Sequence, residues 1–317
     1  ENIVILFNGE IYNYASLFPE SSELECIYKL YKSGLENLKK LDGEFSIVIT
    51  DFELRKIFMI HDIFATKPLY IGIEEKSRLF CISSYPSVST NLGIVNVQKI
   101  PPNCCMEFDM ITLLPRIYFI MFDWDLKQHK SDYNDYNDAL ENSVKKRVNT
   151  TKEILVNMSS GYDTGTICCV LNKLHRKYNT MTILGCENQQ IIKKRLVINK
   201  PNISVFDTIL TFNRSENEYY KKILITRCEN IEFFVWNKIE KKNSLKLDIF
   251  SDPASLGLCK IYDIIKSGKN EIKIILSGTG VDEIISDYSI NSRGLSLATC
   301  FNGIFPGDLK TIFPQNL

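Results

Sequence analysis

The stretch ILVNMSSGYDTG at positions 154–165 runs on into a stripe of Ile167, Val170, Leu171 and Leu174, and its reading decides the fold of the second half of the chain. Ile154 to Met158 has the length and apolar character of a buried strand. Ser159 to Gly165 is a turn of small residues, and the spacing of the following stripe marks one face of a helix. A strand that ends in glycine and hydroxyl residues and feeds a helix builds an anion site. The N–H groups at the helix start point outward, and the helix dipole favours negative charge there. Gly161 lets the backbone approach a phosphate closely. Ser159 and Thr164 supply hydroxyl donors. Asp163 would repel a bare phosphate, so its use is to hold a Mg²⁺ ion carried with it. An ordinary helix cap of Ser, Asp and Thr explains this turn, taken alone, equally well.

A second turn of the same kind follows, IKIILSGTGVDE at 272–283. Ile272 to Leu276 reads as a strand, and Ser277, Gly278, Thr279 and Gly280 lead to the adjacent carboxylates Asp282 and Glu283. Thr180 to Leu184 is a further strand. Leu140, Val144 and Val148 share one helix face, as do Leu258, Ile261, Tyr262 and Ile265. Strands alternating with helices predict an α/β parallel sheet with crossovers. In such sheets ligands sit at the carboxyl ends of the strands, so two glycine-rich turns there can flank one nucleotide.

The first third reads differently. Ile3 to Phe7, Phe45 to Thr50, Lys56 to His61 and Leu79 to Ser83 are short apolar or alternating runs separated by Gly, Asp or Asn, which predicts packed antiparallel sheets. Cys26, Ile27, Leu30 and Tyr31 recur at helical spacing within a helix over 23–33. Pro101-Pro102-Asn103 and the segment from Pro115 to Asp135 read as a transition. The lysine-rich run Lys238 to Lys246 reads as a solvated surface loop.

At 317 residues, two domains are expected. Lys plus Arg and Asp plus Glu are each 38, and this balance argues against a nucleic-acid binder driven by overall basicity. No apolar run approaches the ~18–20 residues of a membrane-spanning helix. The ten cysteines contain no Cys-x-x-Cys pair and the three histidines have no metal-ligand spacing. Free, mostly buried thiols in a reducing cytoplasmic setting are the expectation. The chain opens on Glu1 and enters an apolar run at once, which reads as a fragment cut at one or both ends.

Together these motifs resemble the glutamine-dependent asparagine synthetases. Their pyrophosphatase loop, Ser-Gly-Gly-x-Asp-Ser, stands here as Ser159-Ser160-Gly161-Tyr162-Asp163-Thr164. Their second motif, Ser-Gly-Glu-Gly-x-Asp-Glu, stands as Ser277 to Glu283. Asn8-Gly9-Glu10-Ile11-Tyr12-Asn13 matches the signature of their class II glutamine amidotransferase domain, and Asp42 to Phe45 and Asp62 to Tyr70 match its later signatures. The motifs occur in the family's order and cover almost the whole chain. The resemblance implies a partial α+β, Ntn-hydrolase-like amidotransferase sandwich over 1–115. A linker over 116–135 and a partial ATP-pyrophosphatase domain over 136–317 follow.

It also implies two linked reactions. In the first domain glutamine is hydrolysed to ammonia by an N-terminal cysteine. Asn8 and Gly9 form the oxyanion hole, and Glu10 binds the substrate's α-amino group. Glu23 stands where the family uses Asp for the same purpose, one methylene longer. In the second domain ATP activates the aspartate side chain as β-aspartyl-AMP, pyrophosphate leaves, and ammonia displaces AMP. Asp163 and Asp282 hold Mg²⁺ on the pyrophosphate. Ser159, Gly161, Thr164, Ser277 and Gly278 cradle the phosphates, and Met158 and Leu184 line the adenosine pocket. Small-molecule substrates, no nucleic-acid or membrane partner, and a homodimer are the family's expectations.

The departures are specific. The chain starts seven residues before Asn8, without the cysteine nucleophile, and as it stands is expected not to hydrolyse glutamine. Cys26 reads as core. His61 replaces an Arg, Ala65 a Gly and Ser84 a Glu. Ser160 replaces the first glycine of the phosphate loop and adds a Cβ where φ > 0 or close approach is a concern. Thr279 replaces a Glu, and threonine is no base near neutral pH. Either Glu283 takes that role or the acceptor differs. Two alternatives therefore stand beside aspartate amidation. One is a carboxylate-adenylating ligase like the β-lactam synthetases, and the other is a family member without catalysis.

Overall fold

The computed structural model describes residues 2–123, 132–185, 187–200, 203–211, 213–230, 232–237, 242–250, 252–268, 272–279 and 295–297. The described residues fall into two compact units, 2–123 in the first and 132–297 in the second.

In the first unit the N-terminal apolar runs pair. Strand β1 (Ile3–Ile11), α1 (Tyr14–Leu17) and α2 (Glu23–Ser33) are followed by β2 (Gly43–Asp51) and β3 (Lys56–His61). Then come β4 (Tyr70–Glu74), β5 (Leu79–Ser83), α3 (Pro86–Asn91), β6 (Val97–Lys99), β7 (Cys104–Asp109) and β8 (Pro115–Ile120). A five-stranded antiparallel sheet runs β1-β2-β3-β7-β8, and a three-stranded sheet runs β5-β4-β6. Alternation in β2 splits its residues between two cores. Phe45, Ile47 and Ile49 join Cys26, Ile27 and Leu30 of α2 in one cluster, while Val48 joins Ile57, Met59, Leu69 and Ile71 in the other. Each fully buried aliphatic side chain of this kind contributes about 1.5–3 kcal/mol. Helix α2 begins where the sequence places it because Ser22 and Glu25 form a reciprocal capping box.

The segment expected as a linker is corrected at its start, since residues 116–120 belong to β8. Glu107 of β7, almost fully buried, meets Lys56 Nζ of β3 at 3.0 Å and Arg116 Nη2 of β8 at 2.9 Å. That cross-strand pairing of one buried carboxylate with two cations draws β8 into the sheet.

The second unit contains α4 (Asn134–Arg147), β9 (Glu153–Asn157), α5 (Tyr162–Lys173), β10 (Tyr178–Ile183), α6 (Gln189–Asn199) and β11 (Ile203–Leu210). These are followed by α7 (Arg214–Arg227), β12 (Glu232–Asn237), β13 (Lys242–Asp248), α8 (Pro253–Ser267), β14 (Ile272–Leu276) and β15 (Leu295–Leu297). The sheet order β11-β10-β9-β14 is parallel throughout, as the alternation predicts. Val156, Met158, Cys168, Leu171 and Leu276 form the core under α5, and Leu155, Met181 and Ile261 form the core under α8. A separate antiparallel sheet, β13-β12-β15, corrects the reading of Lys238 to Lys246 as a loop for residues 242–246, while 238–241 lie outside the described residues. Residues 242–246 lie in β13 and pair with β12, so backbone pairing overrides the polar composition. Among the described residues no helix is long and apolar enough to cross a membrane.

Candidate functional site

The three N-terminal motifs meet at one end of the five-stranded sheet. Pairing of β1 with β2 sets Asn8 opposite Ser46, Gly9 opposite Phe45 and Glu10 opposite Glu44. Gly9 has φ +144°, and a Cβ there would lie 2.0 Å from the Glu44 carbonyl oxygen, so only glycine fits. Asn13 Oδ1 accepts from Asp42 N–H at 3.0 Å and its amide donates to Lys40 O at 2.8 Å, which ties the first motif to the second. Asp62, 5 % exposed, opens the third motif. Its carboxylate accepts from the N–H groups of Phe45, Phe64 and Thr66 and from the Thr66 hydroxyl. Ala65 sits inside this loop at φ +50°, and that left-handed backbone is the reason glycine suits the position.

Two carboxylates stand at this end. Ile11 N–H donates to Glu23 Oε1 at 2.6 Å, holding the head of α2 against β1. Burial pushes the Glu23 carboxyl above its ordinary pKa, the Ile11 bond pulls it back, and the neighbouring Glu10 charge adds to the rise. Adjacent carboxylates of this kind suit an ammonium group. Cys26 is fully buried beneath them in the core and burial raises its thiol pKa, in keeping with a packing role. His61, also fully buried, has Nδ1 2.9 Å from Pro101 O, and burial holds the imidazole below its ordinary pKa.

In the second unit the glycine-rich turns follow β9 and β14, which are neighbours in the sheet. Gly278 packs directly on the first turn. A Cβ at 278 would lie 2.7 Å from Asp163 Cβ and 3.0 Å from Thr164 N. The two turns that the sequence pairs by analogy are thus in contact. Ser159 Oγ lies 2.7 Å from Thr164 Oγ1 and accepts from Gly161 N–H at 3.1 Å. Ser277 and Thr279 hydroxyls lie 2.7 Å apart. Met158 is 2 % exposed, so its side chain belongs to the core, while Leu184 closes the end of β10 with its N–H donating to Leu210 O at 2.9 Å. Ser160 is not among the residues with positive φ, so replacing glycine there introduces no left-handed strain. Asp282 and Glu283 lie outside the described residues.

Two participants were not anticipated from sequence. Glu187 accepts hydrogen bonds from both the N–H and the hydroxyl of Ser160, and Arg195 donates to the Ser159 carbonyl. Arg195 occupies room left by Gly165, where a Cβ would come within 2.5 Å of its guanidinium. Both residues reach the turn from beyond β10, and the glycine at 165 bears on Arg195 alone. Asp163, a hard oxygen donor in the first turn of α5, fits an ion such as Mg²⁺ brought with a phosphorylated substrate. The close seat of Gly278 fits a turn that a nucleotide would approach by its backbone.

Residues 1–89 match a glutamine amidotransferase domain family. Over nearly its whole length the chain is similar to asparagine synthetases of the glutamine-hydrolysing type. A putative asparagine synthetase of Methanocaldococcus jannaschii is 24% identical over 92% of this chain and 54% of its own. Asparagine synthetase 2 of Bacillus subtilis is 24% identical over 91% of this chain and 43% of its own. The asparagine synthetase of Rattus norvegicus is 23% identical over 90% of this chain and 54% of its own. The chain therefore spans about half the length of the curated relatives it matches.

Proposed function

We propose that the protein is a glutamine-dependent carbon–nitrogen ligase. Its first unit would be an Ntn-type amidotransferase half that releases ammonia from glutamine. Its second would be an ATP-pyrophosphatase half that activates a carboxylate, with aspartate as the acceptor and asparagine as the product. The contact between Gly278 and Asp163 carries the reading, because it joins two phosphate-type turns at neighbouring strand ends.

In the amidotransferase half, Glu10 and Glu23 would receive the α-ammonium of glutamine, and the Asn8 amide with the Gly9 N–H would stabilise the oxyanion. In the other half, the turn from Ser159 to Thr164, together with Ser277 and Gly278, would hold the pyrophosphate of ATP, with Leu184 beside the adenosine. Asp163, joined by Asp282, would hold Mg²⁺, which supplies charge neutralisation on the departing pyrophosphate. Thr279 has its hydroxyl against Ser277 and would position rather than move a proton.

The test is turnover by the full-length protein with Mg·ATP, aspartate and glutamine or ammonium. AMP and asparagine in equal amounts support the reading, and Asp163→Asn should lower both by at least about a hundredfold. AMP released only with another carboxylate would shift the acceptor. Absence of AMP with every carboxylate would leave a non-catalytic relative.

A further inference from the structure

The phosphate turn is already holding a carboxylate. Ser160 presents its N–H and its hydroxyl to one oxygen of Glu187, and Asn188 N–H donates to Ser160 Oγ at 3.1 Å. The segment bearing Glu187 is anchored independently of this contact. Glu187 N–H donates to Leu184 O at 2.6 Å, and Asn188 caps α6 by accepting from Gln190 N–H at 3.0 Å and Ile191 N–H at 3.3 Å. The Glu187 side chain can therefore leave the turn by rotating, without unwinding α6. On the other side Arg195 fixes the Ser159 carbonyl.

We infer that Glu187 is a displaceable internal anion, holding the Ser160 N–H and hydroxyl that the pyrophosphate oxygens of a nucleotide take over. This rests on the reading of Ser159 to Thr164 as a pyrophosphate site. A carboxylate and a phosphate oxygen cannot share one N–H at close range, since both are anionic acceptors and repel. Binding of the nucleotide therefore includes the departure of Glu187. Its return after the first half-reaction favours release of pyrophosphate. Ser160 has a defined part in this exchange, because its hydroxyl doubles the grip on Glu187 that an N–H alone would provide.

The probes are Mg·ATP, magnesium pyrophosphate and adenosine, with binding measured by calorimetry on the full-length protein. Glu187→Ala should tighten pyrophosphate and Mg·ATP by about tenfold, the scale of one charge-assisted hydrogen bond that no longer has to be broken. It should leave adenosine unchanged, because adenosine carries no competing anion. Glu187→Gln keeps an acceptor without the charge and should tighten both by less. Glu187→Asp keeps the charge but is one methylene too short to hold Ser160 as closely, so it should tighten both as well and guards against an uncharged Glu187 variant that fails to fold. If the wild type binds Mg·ATP and the Glu187 variants bind it no more tightly, the inference falls and the site reading stands. If neither the wild type nor any variant binds Mg·ATP or pyrophosphate, both fall.

Discussion

Gly278 rests on Asp163 so closely that a single methyl group at 278 would come within 2.7 Å of the Asp163 Cβ. The neighbouring contact at 3.0 Å is backbone, Thr164 N, which cannot swing away as a side-chain tip can. Gly278→Ala should therefore separate the two turns at a cost of about 1–3 kcal/mol. Mg·ATP affinity should fall at least about tenfold, with helix content by circular dichroism retained. Unchanged affinity would mean that the contact is incidental to binding.

Gly9 has no alternative residue. Gly9→Ala combines a left-handed φ with a Cβ 2.0 Å from a strand carbonyl, so β1 and β2 cannot keep their register. The expected result is loss of stability of about 1–3 kcal/mol or more, seen in the denaturant midpoint, before any effect on glutamine is measured.

Ala65 invites the opposite substitution. Its φ of +50° costs an L residue about 1–2 kcal/mol, and glycine's extra freedom in the unfolded chain returns part of that. Ala65→Gly should stabilise the first unit by about 0.5–1 kcal/mol in urea. A loss of stability would show that the Ala65 methyl group packs productively.

His61 predicts an acid-sensitive first unit. Burial depresses its pKa, the Pro101 bond and Asp62 oppose this, and Lys99 reinforces it. The unfolded chain therefore takes up a proton near the ordinary value of 6.5 while the folded chain does not. Stability from this residue is complete above that pH and declines below it, by at most about 1.4 kcal/mol per pH unit until the folded pKa is reached. His61→Gln should flatten the difference in unfolding free energy between pH 7 and pH 5. Parallel curves for the two proteins would remove His61 as the cause.

Glu23 separates binding from stability. Its raised pKa means that the charged form is disfavoured in the fold, so neutralising it relieves the protein at pH 7. Glu23→Gln should unfold at a slightly higher temperature and bind glutamine more weakly. A variant that loses both would show that the Ile11 bond to the carboxylate matters more than its burial.

Where the sequence was legible, local and tertiary preferences agreed. The strands Lys56–His61, Leu79–Ser83 and Ile272–Leu276 and the helix Glu23–Ser33 have the bounds their apolar spacing predicts. Where it was not, tertiary partners decided. Cys104–Asp109 lacks a clear alternation and becomes a strand between β3 and β8. Gln189–Asn199 carries Ile192 inward but Val197 and Ile198 outward, which blurs its helical face. In the turn from Ser159 to Thr164, the motif residues are contiguous and stand together in the sequence. Glu187 and Arg195 were not legible, because they lie 27 and 36 positions from their partners Ser160 and Ser159 and return only through the crossover into α6.

The free cysteines make the two cores separately observable. Among the described residues Cys169 and Cys228 are the exposed cysteines, whereas Cys26 lies in the core of the first unit and Cys168 in that of the second, its thiol pushed up to about 11 by burial. A thiol reagent in excess should mark the exposed pair at once and reach Cys26 or Cys168 only when its own unit opens. Mass spectrometry of the labelled peptides would then time the opening of each half in the same sample, without any introduced probe, and would show whether a nucleotide slows one clock or both.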